Sequence, residues 1–120
     1  MCIRDRFRGL AKVGIQREAL DRAFIDTHTH GFADYRRAVE STSWDSIVSG
    51  SGVEQEVISN LGVTISKSES TIVCWAMGLT QHRNSVAIIQ EIANLLFLGG
   101  HIGRPGAGAV SYTHLRAHET

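Results

Sequence analysis

Asp26-Thr27-His28-Thr29-His30 places two histidines two residues apart. At that spacing, at the end of a β-strand, two neutral imidazoles project to one side of the chain and can chelate a divalent metal. In the last turn of a helix the same pair does no chemistry: it opposes the negative end of the helix dipole, with Gly31 as terminator. The preceding run, Ala19 to Ile25, reads as helix and favours this second role. A second group, Met77-Gly78-Leu79-Thr80-Gln81-His82, stands between an apolar run and a strongly helical one. A strand-to-helix turn exposes backbone N–H groups without helical partners, and in open α/β sheets ligands sit beyond the carboxyl ends of the strands. Gly78 lets the backbone approach a ligand closely. Thr80, Gln81, His82 and Asn84 offer donors and acceptors, and the helix N-terminus favours an anion such as a pyrophosphate. The plain alternative is a βα loop whose polar side chains face water. Gly103-Arg104-Pro105-Gly106-Ala107-Gly108 could close over phosphates, although the Gly99-Gly100 pair before it equally suits a helix C-cap. Cys74 is the last candidate. A catalytic thiolate needs exposure and a cationic neighbour, and in mid-strand between Val73 and Trp75 an inert, packed thiol is expected.

The elements that must position these groups follow from hydrophobic spacing. Phe7, Leu10, Ala11 and Ile15 predict a helix over 7–18, with Gly14 as its weak point. Asp21 is a suitable N-cap for a short helix through Phe24 and Ile25 that ends at Gly31. Phe32, Tyr35 and Val39 predict another, with Arg36, Arg37 and Glu40 on its wet side. Thr42 or Ser43 caps a turn bearing Trp44, Ile47 and Val48, closed by Gly50. Over 54–67, Val57, Ile58, Leu61 and Ile65 fall on one face of an amphipathic helix. The character then changes. Thr71-Ile72-Val73-Cys74-Trp75-Ala76 is β-branched and apolar without polar alternation, as expected of a buried parallel strand. Residues 77–83 form a polar turn, and 84–98 a helix with Ile88, Ile89, Ile92, Leu95 and Leu96 inward, stopped by Gly99 and Gly100. These elements amount to an α/β class: an incomplete piece of a Rossmann-like three-layer domain, mostly helical, with one clear buried strand. A parallel strand needs partners at its edges, so the rest of its sheet is expected outside this chain.

Composition narrows the function classes. Among 120 residues, Lys plus Arg number 12 and Asp plus Glu 12, with 42% hydrophobic content. A zero balance excludes a nucleic-acid binder or a basic membrane-surface protein, which need clustered cationic excess. No apolar run approaches the roughly 18–20 residues of a membrane span. Two cysteines, Cys2 and Cys74, make no disulfide framework, so a cytoplasmic, reducing setting is expected. The two ends carry a different signal. Met1-Cys2-Ile3-Arg4-Asp5 can be encoded by ATG-TGT-ATA-AGA-GAC, whose reverse complement encodes Val-Ser-Tyr-Thr-His, the sequence of residues 110–114. An inverted pair of identical DNA segments produces such a match, and the DNA resembles the mosaic end of a transposon-based sequencing adapter. Residues 1–6 and 110–120 are therefore expected to be adapter-derived. Residues 7–109, with 9 basic against 10 acidic side chains, are expected to be the protein domain.

Cys74-Trp75-Ala76-Met77-Gly78-Leu79-Thr80-Gln81-His82, followed by the run from Asn94 to Gly108 (NLLFLGGHIGRPGAG), resembles the large subunit of bis-molybdopterin-guanine-dinucleotide oxidoreductases. Within them it is most similar to the formate dehydrogenase-like alpha-subunit branch. Phe24-Ile25, Thr29-His30-Gly31-Phe32, Trp44 and Ser51-Gly52-Val53 resemble the stretch preceding the block, and the likeness covers essentially all of 7–109. It implies an internal fragment binding a bis-molybdopterin guanine dinucleotide with molybdenum, through Met77, Gly78, Thr80, Gln81 and His82. It also implies a 4Fe-4S cluster in the intact protein with ligands outside this chain, a small-molecule substrate such as formate, and an electron-transfer partner. No residue present matches a catalytic or metal-ligating position, so the isolated chain is expected to be inactive. Two other functions are compatible with the residues alone. One is a stand-alone, non-catalytic nucleotide- or phosphate-binding α/β module. The other is a fragment of a metal-dependent hydrolase holding its metal through His28 and His30.

Overall fold

The computed structural model describes residues 2–111. The expected tail from 110 lies mostly outside the described residues. The chain begins with α1 (Ile3–Gln16), which runs straight through Gly14 and starts earlier than its apolar spacing indicates. Four more helices follow: α2 (Arg22–His28), α3 (Phe32–Ser41), α4 (Trp44–Ser51) and α5 (Gln55–Lys67). Then come β1 (Ile72–Cys74), the short α6 (Met77–Thr80), the long α7 (Ser85–Leu98) and β2 (Gly108–Val110).

Side-chain caps fix two of the helix starts. The Asp21 carboxylate accepts the Phe24 amide at 3.0 Å and caps α2. Ser43 accepts the Ser46 amide at 3.1 Å and caps α4. Two terminators differ from the sequence expectation. Gly31 does adopt a left-handed φ of 77°, but as the N-cap of α3, because α2 has already ended at Thr29. The turn expected to close at Gly50 is a helix that runs on to Ser51, and the left-handed residue is Gly52 at φ 70°. A glycine marks a place where φ can turn positive; which side of it the helix lies on is decided by the residues around it.

Helix α1 is the hub, packed against α3, α4, α5 and α7. Leu10, Ala11 and Ile15 join Ile25, Val39, Ile47, Ile58, Leu95 and Leu98 in the main core. A buried lysine belongs to the same hub: Lys12 Nζ donates to the carbonyls of Val39 (3.4 Å) and Glu40 (3.2 Å), a cation at the negative end of α3. Helix α7 is apolar on two sides. Leu95 and Leu98 face the main core, while Ile88, Ile92 and Leu96 form a second cluster against Val73, Trp75, Leu79 and Ile102. On α5, Ile58 is buried and Ile65 packs against the core, but Val57 (55% exposed) and Leu61 (50%) point to solvent. The expected single inward face of four residues is thus divided: close packing of α5 on α1 at Gly62 leaves room for only part of the stripe.

β1 and β2 pair in parallel, Ile72 with Gly108, Val73 with Ala109 and Cys74 with Val110. The strand expected to be buried is not. Ile72 and Cys74 are exposed and only Val73 turns toward α7. Among the described residues helices cover one face of β1 only, so its apolar residues alternate between core and solvent as in any half-covered sheet. The architecture is α/β and mostly helical, with this two-stranded parallel sheet as its only sheet among the described residues.

Candidate functional site

β1 ends at Cys74 and the chain passes through Trp75 and Ala76 into the sequence-predicted site residues. Because β2 runs parallel to β1, and the Trp75 amide donates to the Val110 carbonyl at 2.9 Å, the chain leaving β2 emerges at this same end of the sheet. Met77, Gly78, Thr80, Gln81 and His82 lie together here, contiguous between β1 and α7. The expected polar turn begins as a helical one: Met77–Thr80 is α6, closed by the Gln81 amide on the Met77 carbonyl at 2.9 Å. Leu79 anchors it by packing into the Ile88–Ile92–Leu96 cluster, which directs its neighbours outward.

The directions of those neighbours decide what the turn can do. Met77 is 51% exposed. A Cβ built on Gly78 would meet nothing within 4 Å, so the backbone there is open to close approach. The Thr80 hydroxyl donates to the Met77 carbonyl at 3.2 Å, which leaves its lone pairs free to accept. Gln81 is exposed. Asn84, the N-cap of α7, makes no side-chain capping bond to the first amides of the helix. Two polar atoms flanking the turn are shielded from solvent without a hydrogen-bond partner among the described residues, Trp75 Nε1 and His82 Nδ1. An unmatched buried polar atom costs about 1–3 kcal/mol, so both are places where a group from outside this chain segment would be stabilising. An open glycine, an apolar thioether, exposed amide and hydroxyl groups and a helix N-terminus fit an extended ligand with both ring and phosphate parts.

The other sequence candidates separate from this site. His28 is the last residue of α2 and packs on Phe24 with the rings tilted 44° and their centroids 5.1 Å apart, while His30 lies beyond the helix. Both line a cleft of about 220 Å³ with Tyr35, Asn94 and Phe97, toward the opposite end of α7 from the turn. Among the described residues no three His, Cys, Asp or Glu side chains come together as a metal-holding group. Arg104, considered as a phosphate clamp, is committed elsewhere. Its guanidinium donates to the carbonyls of Gly100 (3.1 Å) and Glu69 (2.7 Å) and contacts His101 Nδ1 at 2.9 Å, at the amino-terminal end of the strands. Cys74, expected to be packed, is an exposed free thiol. The half-covered sheet explains it, since Cys74 faces away from α7.

Sequence comparison supplies the remaining observation. No family model matches the chain. It is 39% identical over 108 residues to an uncharacterized oxidoreductase of Mycobacterium tuberculosis (strain H37Rv), a match covering 85% of this chain and 14% of that protein. It is 44% identical over 89 residues to protein YdeP of Escherichia coli K12, covering 74% of this chain and 12% of that one. It is 30% identical over 99 residues to formate dehydrogenase H of Escherichia coli K12, covering 82% and 14% respectively. The chain is homologous to part of an oxidoreductase. That relationship supports the resemblance to the molybdopterin oxidoreductase family drawn from the block around Met77 and the glycine-rich run. This oxidoreductase segment spans about 14% of the length of the mycobacterial relative. No helix among its described residues is long and apolar enough to cross a membrane.

Two parts of the oxidoreductase segment escaped sequence reasoning. The orphaned Trp75 and His82 nitrogens are set by packing around them that no local sequence pattern encodes. Glu91 could have been found: a lone carboxylate in the apolar run from Val86 to Leu98 must have a cationic partner if its helix is buried all round.

Proposed function

We propose that the Met77–His82 turn cradles part of the pterin dinucleotide of a molybdopterin-dependent, formate dehydrogenase-like oxidoreductase, and that this chain is an internal segment of that longer protein. The observation that supports it is the coincidence of two facts. The turn stands open at the carboxyl end of a parallel strand, and the chain carrying it is 30% identical to a formate dehydrogenase over 99 residues. When bound, the molybdenum–pterin group supplies two-electron oxidation of a small substrate, with an iron–sulfur centre elsewhere in the protein receiving the electrons.

This chain's own residues bind and orient. Gly78 admits the ligand to backbone distance, and Met77 offers an apolar, polarizable surface to a ring. Thr80 accepts a hydrogen bond, Gln81 both donates and accepts, and the first turn of α7 favours a pyrophosphate. His82 adds an imidazole whose Nδ1 awaits a partner. No residue of the segment is given a catalytic role, and on its own it has no activity. β1, α7 and β2 form one unit of a Rossmann-like three-layer domain, whose further strand and second helical layer come from the parent chain. The parent is cytoplasmic and works with a small-molecule substrate and an electron acceptor.

Titration of the 120-residue chain with guanosine 5′-diphosphate, a stand-in for the nucleotide half of the ligand, tests this by amide NMR. Shifts are expected at Gly78, Thr80, Gln81, His82 and the first turn of α7. A titration that leaves all of these unmoved, or that moves only His28–Gly31, would sink the assignment of the turn.

A further inference from the structure

We propose that Arg104 and His101 form a pH-sensitive staple that holds β2 in register on β1, and thereby sets the pairing of Gly108 with Ile72 and of Ala109 with Val73. From the end of α7 to the first residue of β2 the chain passes through Gly100, Gly103, Gly106 and Gly108, all with positive φ (66°, 77°, 78° and 140°). Such a stretch has wide conformational freedom and carries few bonds of its own, chiefly Ala107 N–H to Arg104 O at 3.3 Å. Arg104 offsets that freedom. Its Nε donates to Gly100 O at 3.1 Å and its Nη2 to Glu69 O at 2.7 Å, 35 residues away. The second hydrogen of Nη2 points to His101 Nδ1 at 2.9 Å. His101 is itself buried at 5% exposure, and its amide is tied to Leu96 O at 2.9 Å. The clamp on Glu69 lies just ahead of the ladder, whose first bond is Gly108 N–H to Thr71 O at 3.1 Å. Whatever holds Arg104 to Glu69 therefore selects which residue of the loop meets Ile72. The staple concerns loop and sheet alone and stands independently of what the turn binds.

The switch lies in the imidazole. Nδ1 accepts from Arg104 only while His101 is neutral, with its proton on Nε2. Protonation turns Nδ1 into a donor and sets two cations face to face. Burial pushes the His101 pKa down, the Arg104 charge adds to that, and Asp21 opposes both. Asp21 lies against Gly100, where its Oδ2 would be 2.4 Å from an added Cβ. Glu18 lines the cleft of about 290 Å³ beside His101, with its carboxylate paired to Arg36 at 2.6 Å. The folded-state pKa lies below the unfolded value near 6.5, so the neutral staple is fully held above about pH 6.5 and lost as pH falls through the folded value.

The test is amide exchange in the 120-residue chain from pH 8 to pH 5, each rate divided by its intrinsic rate. Gly108 and Trp75 report the ladder and Ile92 reports the core. Protection of Gly108 and Trp75 is expected to fall several-fold as pH drops below about 6.5, with Ile92 unchanged. His101→Gln, a neutral acceptor at every pH, should keep the protection and remove its pH dependence. Arg104→Met should lose it throughout. Arg104→Lys, which keeps the charge but cannot span three acceptors, should do the same if the methionine variant does not fold. A pH dependence that persists in H101Q overturns the proposal, as does full ladder protection in both Arg104 variants, or a loss at Ile92 equal to that at Trp75.

Discussion

Arg8 and Glu91 meet as a two-toothed fork across 83 residues of sequence. Nε donates to Oε1 at 2.7 Å and Nη2 to Oε2 at 3.1 Å. The Tyr35 hydroxyl adds a third bond to Oε1 at 2.9 Å, and the Arg8 guanidinium lies 5.8 Å from the centre of the Tyr35 ring. Glu91 is 4% exposed at its side chain and Arg8 14%, so the pair joins the hub helix α1 to α7 largely away from water. Its partner raises the Arg8 pKa, chiefly through the hydrogen bond itself.

Breaking that pair from one side should cost far more than deleting it. Arg8→Met leaves the buried carboxylate with only the half-exposed Arg4, 4.0 Å away, and is expected to destabilise the chain by about 3 kcal/mol. The double variant Arg8→Met with Glu91→Leu removes both charges and should recover most of that loss. Urea unfolding followed by far-ultraviolet circular dichroism measures both. A double variant no more stable than the single one would show that the fork does not act as a unit.

The same carboxylate governs Tyr35. Burial first, then the charge and hydrogen bond of Glu91, raise the phenol pKa well above its ordinary value near 10. Because the folded value is the higher one, the stability linked to the neutral phenol is fully present below about pH 10 and is lost as pH rises beyond it. In a Tyr112→Phe background, where Tyr35 is the sole tyrosine, phenolate absorbance should appear only as helical signal disappears. Ionisation near pH 10 with the helices intact would contradict this placement.

How much of this was legible beforehand depended on whether a feature is set by neighbours in sequence or in space. The caps at Asp21 and Ser43 depend on residues three positions away; the first follows from the sequence, and the second is one of the two residues, Thr42 or Ser43, that the sequence allows. The helices from Phe32 and from Gln55, and the long helix ending at Leu98, follow from apolar spacing alone. The grouping of Met77 through His82 needed only contiguity. The burial of β1 and the packing of Cys74 could not be read from their own residues. Both depend on whether helices cover one face of the sheet or two, which no local run of Ile, Val and Cys encodes. Arg104 illustrates the same limit, since a free cation near glycines suggests phosphate until Glu69 and His101 are found beside it.

Gly62 of α5 and Gly14 of α1 should respond oppositely to alanine. A Cβ on Gly62 would lie 2.7 Å from Val13 Cβ, where α5 presses on the hub, so Gly62→Ala should destabilise by about 1–3 kcal/mol. A Cβ on Gly14, inside α1, meets nothing within 4 Å, and Gly14→Ala should stabilise by about 0.5–1 kcal/mol through helix propensity alone. Thermal unfolding of the two variants side by side is sufficient. Equal shifts of the same sign would mean that α5 does not approach α1 at Gly62.

Cys74 offers a chemical reading of which face of the sheet is bare. Ile72 and Cys74 point away from α7, while Val73 points toward it, so the thiol side of β1 has no helical cover among the described residues. In a Cys2→Ser background a thiol-specific alkylating reagent should modify Cys74 in the native chain at a rate approaching that of the urea-unfolded chain. A thiol packed under a second helical layer would be protected by orders of magnitude. In the longer parent proposed for this segment, that second layer should be present, and labelling of the same cysteine should fall sharply. Rapid native labelling in the parent as well would show that the outer face of β1 stays open, and would argue against a three-layer domain around it.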